Sequence, residues 1–478
     1  MRAQERDAKR QPRFANRIAR PVEDCAPHAL FAPLAPAPGA VLPRSMQALH
    51  AHRRVLMLQG PMGPFFGHLA RHLRRHGAQV RKVHFNGGDE CFFDACPALR
   101  FTGRADDWPD WLTQQLHASE ATAIVLFGQM RPLHRVACDL AGALGVDVFV
   151  FEEGYLRPHY VTLECGGVNA RSSLPRDLPT LRAARPPRPP RPQDTRARFA
   201  RRAWHATVYA VATHLGRGQY PHYRHHRPMG GLEAARWMRG GLRKLLSRVT
   251  ERRLRARLDN PAMHGRYYLV PVQVHSDSQV LHSRFDSIEC FMGVVLHSFA
   301  EHAPAGTHLV FKHHPMDLSH RDHTRLLARL AVEHGVEGRV HYLHDGHLPT
   351  LLQHARGMVT LNSTTALQAL HHRCPVLTLG ESFYTVEGLV RRDALHEFWA
   401  APGEVDALLF ARYRNLVIHE TQLNASFHGS CPALAADAGP DAANDDHLPY
   451  AGQRKAWLAP GLAAAALAGC MLTLSLLV

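Results

Sequence analysis

Two neighbouring carboxylates, Glu152 and Glu153, follow the apolar run VFVF that ends at residue 151. Like charges held close together raise the pKa of one partner, so such a pair is suited to general acid or base chemistry. A solvated loop can carry the same two residues, and both interpretations stay open on the sequence alone. Asp277, in the polar loop after the apolar segment 267–274, is a candidate nucleophile toward an electrophilic sugar carbon.

A second group of residues is suited to binding phosphate. His314 follows the apolar segment HLVFK and precedes a proline, and its imidazole could bind or protonate a phosphate leaving group. Lys312 is close to it in the chain, although strand alternation would turn its side chain to the other face. The polar run Asn362, Ser363 and Thr364 separates a predicted strand from a predicted helix. Its hydroxyl groups either cap that helix or, together with N–H groups, hold an anion.

The other polar candidates also stand after predicted strands. Ligands in open α/β sheets lie beyond the carboxyl ends of the strands, and these residues fall there. The candidates for substrate or nucleotide binding are Gln59, Gly60, Asn86, Asp89, Glu152, Arg157, Gln273, Lys312, Asn362, Ser363 and Thr364. Neither a Walker A motif nor a GxGxxG fingerprint occurs, which disfavours nucleoside triphosphate hydrolysis and dinucleotide redox chemistry.

The elements that must position these residues repeat as strand, loop and helix. The sequence predicts a first set within 55–154, with strands at 79–85 and 122–127 and a helix at 132–144. A second set begins at 267 and continues with strands at 308–315, 339–343, 357–363 and 374–380 and helices at 286–302, 322–334, 348–355 and 364–371. This alternation predicts an α/β fold with two Rossmann-like parallel-sheet domains facing a central cleft.

Shifts in composition divide the chain further. Pro and Arg dominate 181–200 and predict a linker of polyproline character, and the basic stretch 196–257 is predicted to be helical. The predicted segments are a disordered basic arm at 1–45, a first Rossmann-like domain at 50–180, a Pro/Arg-rich linker with a basic helical segment at 181–262, a second Rossmann-like domain at 265–428, an acidic linker at 429–456 and an apolar tail at 457–478.

The charge of the chain is concentrated in one region. The 478 residues carry a formal net charge of +16, and residues 181–257 hold 20 Lys and Arg against 3 Asp and Glu. Such a patch suits an anionic partner such as phosphate, nucleic acid or acidic lipid, although a solvated Arg-rich insertion has the same composition. The nine cysteines include no CxxC pair, which argues against a disulfide scaffold and a zinc knuckle.

Only the C-terminal run, from Trp457, is long and uncharged enough to cross a bilayer, and it follows Arg454 and Lys455. It predicts a membrane anchor or, alternatively, an Ala-rich helix packed on the protein. With 45% hydrophobic and 21% charged residues, the rest has globular composition, which excludes a multi-span membrane protein and a wholly disordered one.

Six segments, in order, resemble the capsular polysaccharide biosynthesis/export proteins of the KpsS/LipB type. They are LQGPMGPFF, FNGGDE, FEEGYLRP, VPVQVHSDSQV, FKHHP and LNSTTALQAL, and the resemblance extends over about residues 52–428. It implies a GT-B-like glycosyltransferase that moves Kdo from CMP-Kdo to a phosphatidylglycerol-type lipid and so starts the linker that carries the capsule. The first domain would then take the acceptor and the second the CMP-sugar.

The same resemblance implies roles for single residues. Glu153 of the Glu-Glu-Gly motif would be the acid/base carboxylate, and His314, Ser363 and Thr364 would hold the CMP part of the donor. No cofactor and no metal are implied besides CMP-Kdo as donor substrate. A β-linked product from a β-configured donor means retention, for which Asp277 is the candidate nucleophile and Glu153 the alternative.

Two functions from different classes remain open: Kdo transfer, and a non-catalytic export or scaffold role in which the protein binds lipid-linked polysaccharide. The expected partners are a CMP-sugar donor, an anionic phospholipid acceptor and other capsule-assembly proteins. Nucleic acid is not expected, since no recognition-helix or RNP pattern accompanies the basic stretch. The aromatic side chains that are expected to hold this stretch on the cytoplasmic face of the inner membrane are Trp204, Tyr209, Tyr220, Tyr223 and Trp237.

Overall fold

The computed structural model describes residues 42–226, 231–274, 280, 283–392 and 394–435. The apolar tail, most of the basic arm and of the acidic linker, and the candidate nucleophile Asp277 therefore lie outside the described residues. Among the helices of the described ranges, none is both long enough and apolar enough to cross a membrane.

The secondary structure follows the predicted alternation. The strands in the described ranges are β1 (Arg54–Met57), β2 (Gln79–His84), β3 (Ala98–Arg100), β4 (Ala123–Phe127), β5 (Asp147–Glu153), β6 (Tyr160–Cys165), β7 (Tyr267–Pro271), β8 (His308–Lys312), β9 (Val340–Leu343), β10 (Gly357–Thr360), β11 (Val376–Thr378), β12 (Arg391–Arg392) and β13 (Gln422–Asn424). The α-helices there are α1 (Arg44–Ala51), α2 (Phe65–Arg75), α3 (Gly87–Cys91), α4 (Trp108–Ser119), α5 (Pro132–Leu144), α6 (Leu178–Ala183), α7 (Phe199–Leu215), α8 (Gly231–Thr250), α9 (Arg252–Leu258), α10 (Ile288–His302), α11 (Thr324–Glu333), α12 (Leu348–His354), α13 (Thr365–His371), α14 (Leu395–Ala400), α15 (Ala407–Thr421) and α16 (Pro432–Ala435).

Local chemistry explains why α5 begins and ends where the sequence predicts. Pro132 occupies the first helical position, where its missing N–H group costs no hydrogen bond. Gly145 ends the helix in the left-handed region, at φ 68°, which glycine adopts without a steric penalty. The short return to β5 follows directly, so this strand–helix–strand unit is determined by its own residues.

The first sheet has seven strands, in the order β13-β6-β5-β4-β1-β2-β3. The run β5-β4-β1-β2-β3 is parallel, as predicted, whereas β6 lies antiparallel to β5 and β13 antiparallel to β6. Alternate side chains enter different apolar layers: Val55 and Met57 join one and Leu56 the other. Helices therefore cover both faces of this sheet, and we call the sheet with these helices the first lobe.

The second sheet has six strands, in the order β12-β11-β10-β7-β8-β9, and each neighbouring pair is parallel. Tyr267 and Leu269 enter one apolar layer, and Tyr268 and Val270 enter the other. We call this sheet and its helices the second lobe. The predicted fold class, a GT-B-like α/β architecture with two Rossmann-like lobes, is confirmed.

The end of the described chain returns to the first lobe, whereas the sequence placed residues up to 428 in the second. The strand β13 pairs with β6, with Gln422 opposite Thr162. The Gln422 Oε1 atom accepts a hydrogen bond from the N–H of Tyr155 at 3.1 Å, and its Nε2 donates to the Thr162 hydroxyl at 3.0 Å. The paired residues are 260 positions apart, so no local pattern could have revealed this boundary.

The Pro/Arg-rich linker between α6 and α7 packs against the returning segment. The N–H of Gln193 donates to the Asn424 side chain at 3.0 Å, and the N–H of Ser430 donates to the Thr195 carbonyl at 2.8 Å. A Cβ atom on Gly429 would lie 2.1 Å from that same carbonyl, so only glycine allows this approach. The linker is therefore docked along the first lobe.

The basic stretch is helical, as predicted, and consists of α7, α8 and α9. Helix α8 lies against the second lobe, where the Arg239 Nη2 atom donates to the carbonyl of Ser319 at 2.7 Å. A Cβ atom on Gly240 would lie 3.1 Å from the Cβ of Ser319, so the helix and this loop are in close contact.

An aromatic stack joins the two lobes next to the end of β5. The ring of Tyr155 lies parallel to that of Phe383 in the second lobe, with centroids 3.7 Å apart. The Tyr155 hydroxyl donates to the Glu164 Oε1 atom at 2.6 Å, and the Ser172 hydroxyl donates to the other oxygen. Burial raises the pKa of the Glu164 carboxyl to about 7 against the hydrogen bonds that favour its charged form.

Because the pKa of Glu164 is raised in the folded protein, we expect the stability of the protein to depend on pH. The Glu164 carboxyl contributes fully to folding stability below its ordinary pKa of 4.5. This contribution is lost as the pH rises through about 7, because burial penalises the ionised carboxylate in the folded state. Glu164→Gln, which stays neutral, should therefore gain stability relative to the wild type between about pH 5 and about pH 8, by up to about 3 kcal/mol. Thermal unfolding at both pH values measures this difference.

Glu333→Gln, on the exposed surface of α11, is the matched control and should show no such pH dependence. If the Glu164 variant differs from the wild type equally at both pH values, the carboxyl does not titrate in this range in the folded protein.

Candidate functional site

The Glu-Glu-Gly motif lies at the carboxyl end of β5, where the chain turns sharply. A Cβ atom on Gly154 would lie 2.0 Å from the carbonyl oxygen of Tyr160, which no side chain could tolerate. Glycine is therefore required for the return from β5 into β6. The turn leaves the Glu153 side chain about one-third exposed and its carboxylate 3.6 Å from the Arg202 guanidinium on α7.

Two cations lie at the Glu-Glu-Gly turn. Arg202, on the basic helix α7, forms the ion pair with Glu153 and is itself 44% exposed. Arg157 is exposed just beyond the turn, and its Nε atom donates to the carbonyl of Gly154 at 3.2 Å. Sequence reasoning identified Arg157 through its motif but missed Arg202, which belongs to a segment without a recognisable strand end.

His314 follows β8 in the second lobe and caps a short 3₁₀ turn. Its Nδ1 atom accepts a hydrogen bond from the N–H of Met316 at 3.2 Å, so in the neutral ring the proton is on Nε2. Burial lowers the pKa of His314 to about 4; Asp317 opposes this, while Arg157 and Arg202 lower the pKa further. The free protein therefore holds a neutral imidazole that offers one N–H donor.

The charge effects on His314 locate it relative to the first lobe. Arg157 and Arg202, both beside the Glu153 turn, are close enough to affect the imidazole of the second lobe. His314 is therefore within electrostatic range of Arg157 and Arg202, and Arg202 also pairs with Glu153. Asp277 lies outside the described residues.

The polar run after β10 is tied into the second lobe. The Nε2 atom of Gln273, after β7, donates to the Asn362 Oδ1 atom at 2.9 Å. The Ser363 Oγ atom accepts hydrogen bonds from the N–H and the hydroxyl of Thr365, at 3.3 and 2.9 Å. Ser363 thus orders the turn just before α13, whereas Thr364, the residue that precedes the helix, makes no capping hydrogen bond with its side chain.

Ser363 is also linked to the junction between the lobes. Its carbonyl accepts a hydrogen bond from the Tyr384 hydroxyl at 2.7 Å, and the preceding residue, Phe383, stacks on Tyr155. Tyr155 is two residues beyond Glu153. The paired Ser/Thr motif and the Glu-Glu-Gly motif are therefore connected through adjoining aromatic side chains.

The Lys312 side chain is buried and bonded within the protein, so its environment does not suit ligand binding. Its Nζ atom donates to the carbonyls of His313 and His344, each at 3.1 Å, and the side chain is buried. Burial lowers its pKa to about 8. The strand alternation noted in the sequence explains this, since it turns Lys312 toward the end of β9.

The strand-end residues of the first lobe form an internal network. Gln59, Asn86 and Asp89 are all buried. The Tyr209 hydroxyl on α7 accepts from the Gln59 Nε2 atom at 2.9 Å and the Asn86 Nδ2 atom at 2.8 Å, and donates to the Asp89 Oδ1 atom at 2.8 Å. These three predicted binding residues therefore hold the basic helix against the ends of β1 and β2.

This network corrects the expectation that the aromatic residues of the basic stretch face a membrane. Tyr209 and Tyr220 are buried, and the Tyr220 hydroxyl donates to the Glu90 carboxylate at 2.5 Å. The Tyr223 hydroxyl accepts from Gln59 at 2.9 Å. Their hydroxyl groups bind first-lobe residues, since a buried phenol needs a hydrogen-bond partner. Trp204 is half-buried, and the side chain of Trp237 lies outside what the structure describes.

Arg131, after β4, completes the network and was missed by the sequence analysis. Its Nη1 atom donates to the Gln59 Oε1 atom at 3.0 Å and to the Gly60 carbonyl at 3.3 Å, and its guanidinium lies 4.9 Å from the ring centroid of Phe127. Gly60 packs so closely that a Cβ atom would lie 2.7 Å from the ring of Phe66. Arg131 lies in the loop after β4, as the other candidates lie in loops after their strands, and this position could have identified it in the sequence.

Comparison with known proteins places these motifs in context. The family model described as capsule polysaccharide biosynthesis protein matches residues 122–428, more than half of the chain. The capsule polysaccharide export protein KpsS of Escherichia coli is 38% identical over 386 residues, which cover 80% of this chain and 99% of that protein. The capsule polysaccharide modification protein LipB of Neisseria meningitidis is 38% identical over 400 residues, covering 81% and 95%.

One solved structure to which the chain shows similarity is that of Thermosulfurimonas dismutans KpsC, β-Kdo 2,7 transferase. It is 13% identical, with a TM-score of 0.35, over 75% of this chain and 89% of that one.

The Tyr209 network predicts a measurable contribution to stability. Tyr209→Phe removes a hydroxyl that serves three buried polar groups, which should destabilise the protein by about 1–3 kcal/mol. Urea unfolding measures the loss. Tyr160→Phe is the matched control, because among the described residues the Tyr160 hydroxyl makes no hydrogen bond. Equal stability of the two variants would contradict the role assigned to the network.

Proposed function

The chain belongs to the capsule polysaccharide biosynthesis protein family, and on that premise we propose that it is a glycosyltransferase. It moves Kdo from CMP-Kdo to a phosphatidylglycerol-type lipid and so initiates the linker of the capsular polysaccharide. The observation that carries this proposal is the shared cationic region between the lobes. There Arg202 pairs with the Glu153 carboxylate of one lobe and acts on the His314 imidazole of the other.

The cationic side of this region suits the departure of CMP. When the bond between the anomeric carbon and the phosphate oxygen breaks, the electron pair stays on the phosphate. The Nε2–H group of His314 can donate to that oxygen, and the charges of Arg157 and Arg202 stabilise the phosphate group. Such departure needs no metal ion, because a nucleoside monophosphate leaves with a single phosphate group.

The carboxylate side supplies the proton transfer. In a retaining reaction, a carboxylate first bonds to the anomeric carbon as CMP leaves, and the acceptor oxygen then displaces it. Glu153 takes the proton of the acceptor hydroxyl in the second step, for which its partial exposure provides access. We propose Asp277 as the nucleophile and Glu153 as the alternative, as the sequence indicates.

A stripe of exposed apolar side chains on α8 supports a membrane-bound acceptor. Met238 and Leu242 are each 59% exposed, Leu246 is 56% exposed and Val249 is 75% exposed. With about 3.6 residues per turn these four lie on one side of the helix, and the buried Gly240 lies on the opposite side. Apolar residues with this spacing and exposure are typical of a helix that lies in a membrane interface.

The charge around the stripe specifies the kind of membrane. Among the side chains of α8 and α9, Arg236, Arg239, Arg248, Arg252 and Arg253 are exposed. Each basic residue near an anionic leaflet contributes about 1 kcal/mol to binding. We therefore propose that α8 docks the protein on the cytoplasmic face of the inner membrane, where the lipid acceptor lies, beside other capsule-assembly proteins.

The alternative is a non-catalytic role in export, which the name of the Escherichia coli relative suggests. A protein that only binds lipid-linked polysaccharide needs a basic surface but no acid/base carboxylate. The two functions therefore differ in their dependence on Glu153 and His314.

The transferase proposal predicts loss of activity in two variants. Glu153→Gln and His314→Ala should each lower the rate of Kdo transfer by about 10²–10⁴-fold, because each removes a group that acts on the reacting atoms. The assay incubates the full chain with CMP-Kdo and a fluorescent phosphatidylglycerol and follows the product by mass.

Glu333→Gln and His297→Ala, both on exposed helix surfaces, are the matched controls and should retain wild-type transfer. Wild-type activity in both site variants, or no product with the wild type, would favour the export role.

The membrane proposal predicts binding to anionic vesicles. The wild type should bind vesicles that contain phosphatidylglycerol, less so at high salt, and Leu242→Asp/Leu246→Asp should bind at least about tenfold more weakly, since two apolar side chains are lost. Vesicle flotation measures the bound fraction. Val332→Asp/Leu408→Asp changes two other exposed side chains, 63% and 71% exposed, by the same charge and should bind normally. Equal binding of the wild type to neutral phosphatidylcholine vesicles would contradict the proposal.

A further inference from the structure

Three histidines converge at a point in the first lobe that the proposed function does not use. His50 lies on α1, His72 lies on α2, and His76 is the residue that directly follows the last turn of α2. One ring nitrogen from each can be chosen so that all three lie within 4.8 Å of one another. The Nε2 atoms of His50 and His72 are 2.9 Å apart.

Backbone carbonyls determine where two of these rings carry their protons. The Nδ1 atom of His72 lies 3.1 Å from the carbonyl of Leu434, and the Nδ1 atom of His76 lies 2.9 Å from the carbonyl of His72. A carbonyl oxygen only accepts hydrogen bonds, so each Nδ1 atom must carry the hydrogen. Each Nε2 atom then holds a lone pair, which is the arrangement that orients histidine ligands in metal sites.

The surroundings keep the central ring neutral. His72 is fully buried, and its ring lies 4.9 Å from that of His50 and 4.3 Å from that of His76, so a proton on it would place a charge in an enclosed position. A neutral imidazole is the form that coordinates a metal. The Arg75 guanidinium, whose Nη2 atom lies 3.2 Å from the same Leu434 carbonyl, also disfavours a proton on His72, but its positive charge opposes the binding of a metal cation.

We propose that His50, His72 and His76 form a binding site for a divalent transition-metal ion, with zinc as the first candidate. Imidazole ligands suit zinc, copper and nickel, and three of them leave a fourth position for water. Without a metal, the contact between His50 and His72 is a single hydrogen bond with the proton on the Nε2 atom of His50.

The location of the site indicates a structural role. Helix α1 ends just before β1 begins, and α2 ends just before β2 begins, so both helix ends lie at the amino-terminal edge of the parallel strands. The Glu-Glu-Gly motif lies at the opposite, carboxyl-terminal edge. A bound metal would join α1 to α2 and, through the Leu434 carbonyl, fix α16 as well. The inference is therefore independent of the proposed transferase activity.

The test measures bound metal and thermal stability in the full chain without a histidine tag. After incubation with Zn²⁺ and dialysis, the wild type should retain about one zinc per chain by atomic emission, and its Tm should fall when a chelator removes the ion. His50→Gln/His76→Gln should bind zinc at least tenfold more weakly and lose the response of the Tm to zinc.

His264→Gln/His354→Gln is the matched control, because these two rings form another close histidine pair, with centroids 3.6 Å apart. It should retain the zinc and the Tm response. Circular dichroism establishes whether the site variant is folded, and if it is not, the single variant His76→Asn takes its place. Absence of zinc from the wild type, or equal zinc in the site and control variants, would overturn the proposal.

Discussion

The stack of Tyr155 on Phe383 is the contact on which the proposed site depends. It joins the lobes two residues beyond Glu153, and the segment that carries Phe383 also holds the carbonyl of Ser363 through Tyr384. The buried carboxyl of Glu164 fixes the Tyr155 hydroxyl from the side of the first lobe. Stacked aromatic rings contribute stabilisation beyond the area they bury, so this junction holds the two lobes together next to the Glu-Glu-Gly turn.

The sequence predicted the parallel parts of the fold because those parts are encoded locally. Helix α5 has its proline and glycine at its two ends, and the buried strands are short apolar runs between polar turns. The antiparallel strands β6 and β13 were not predicted, since β13 is a three-residue strand whose partner lies 260 residues away. Pairing over that distance depends on the assembled lobe and leaves no periodic pattern in either segment.

The candidate site was predictable in part, for a physical reason. A polar side chain at a strand end looks the same in sequence whether it binds a ligand or another part of the protein. Glu153 and His314 are partly exposed and lie within the influence of the same arginine, whereas Gln59, Asn86 and Asp89 are buried and satisfied by Tyr209. The difference arises from α7, whose position against the first sheet could not be read from its basic composition.

The return of β13 to the first sheet makes the second lobe an insertion between two parts of the first. During synthesis on the ribosome, β6 emerges long before its partner, and its outer edge has no strand to pair with until the whole second lobe has been made. The second lobe can complete its own all-parallel sheet before that moment. The second lobe can therefore fold before the first sheet is complete, and a chain released before residue 424 would leave the β6 edge unpaired and open to aggregation.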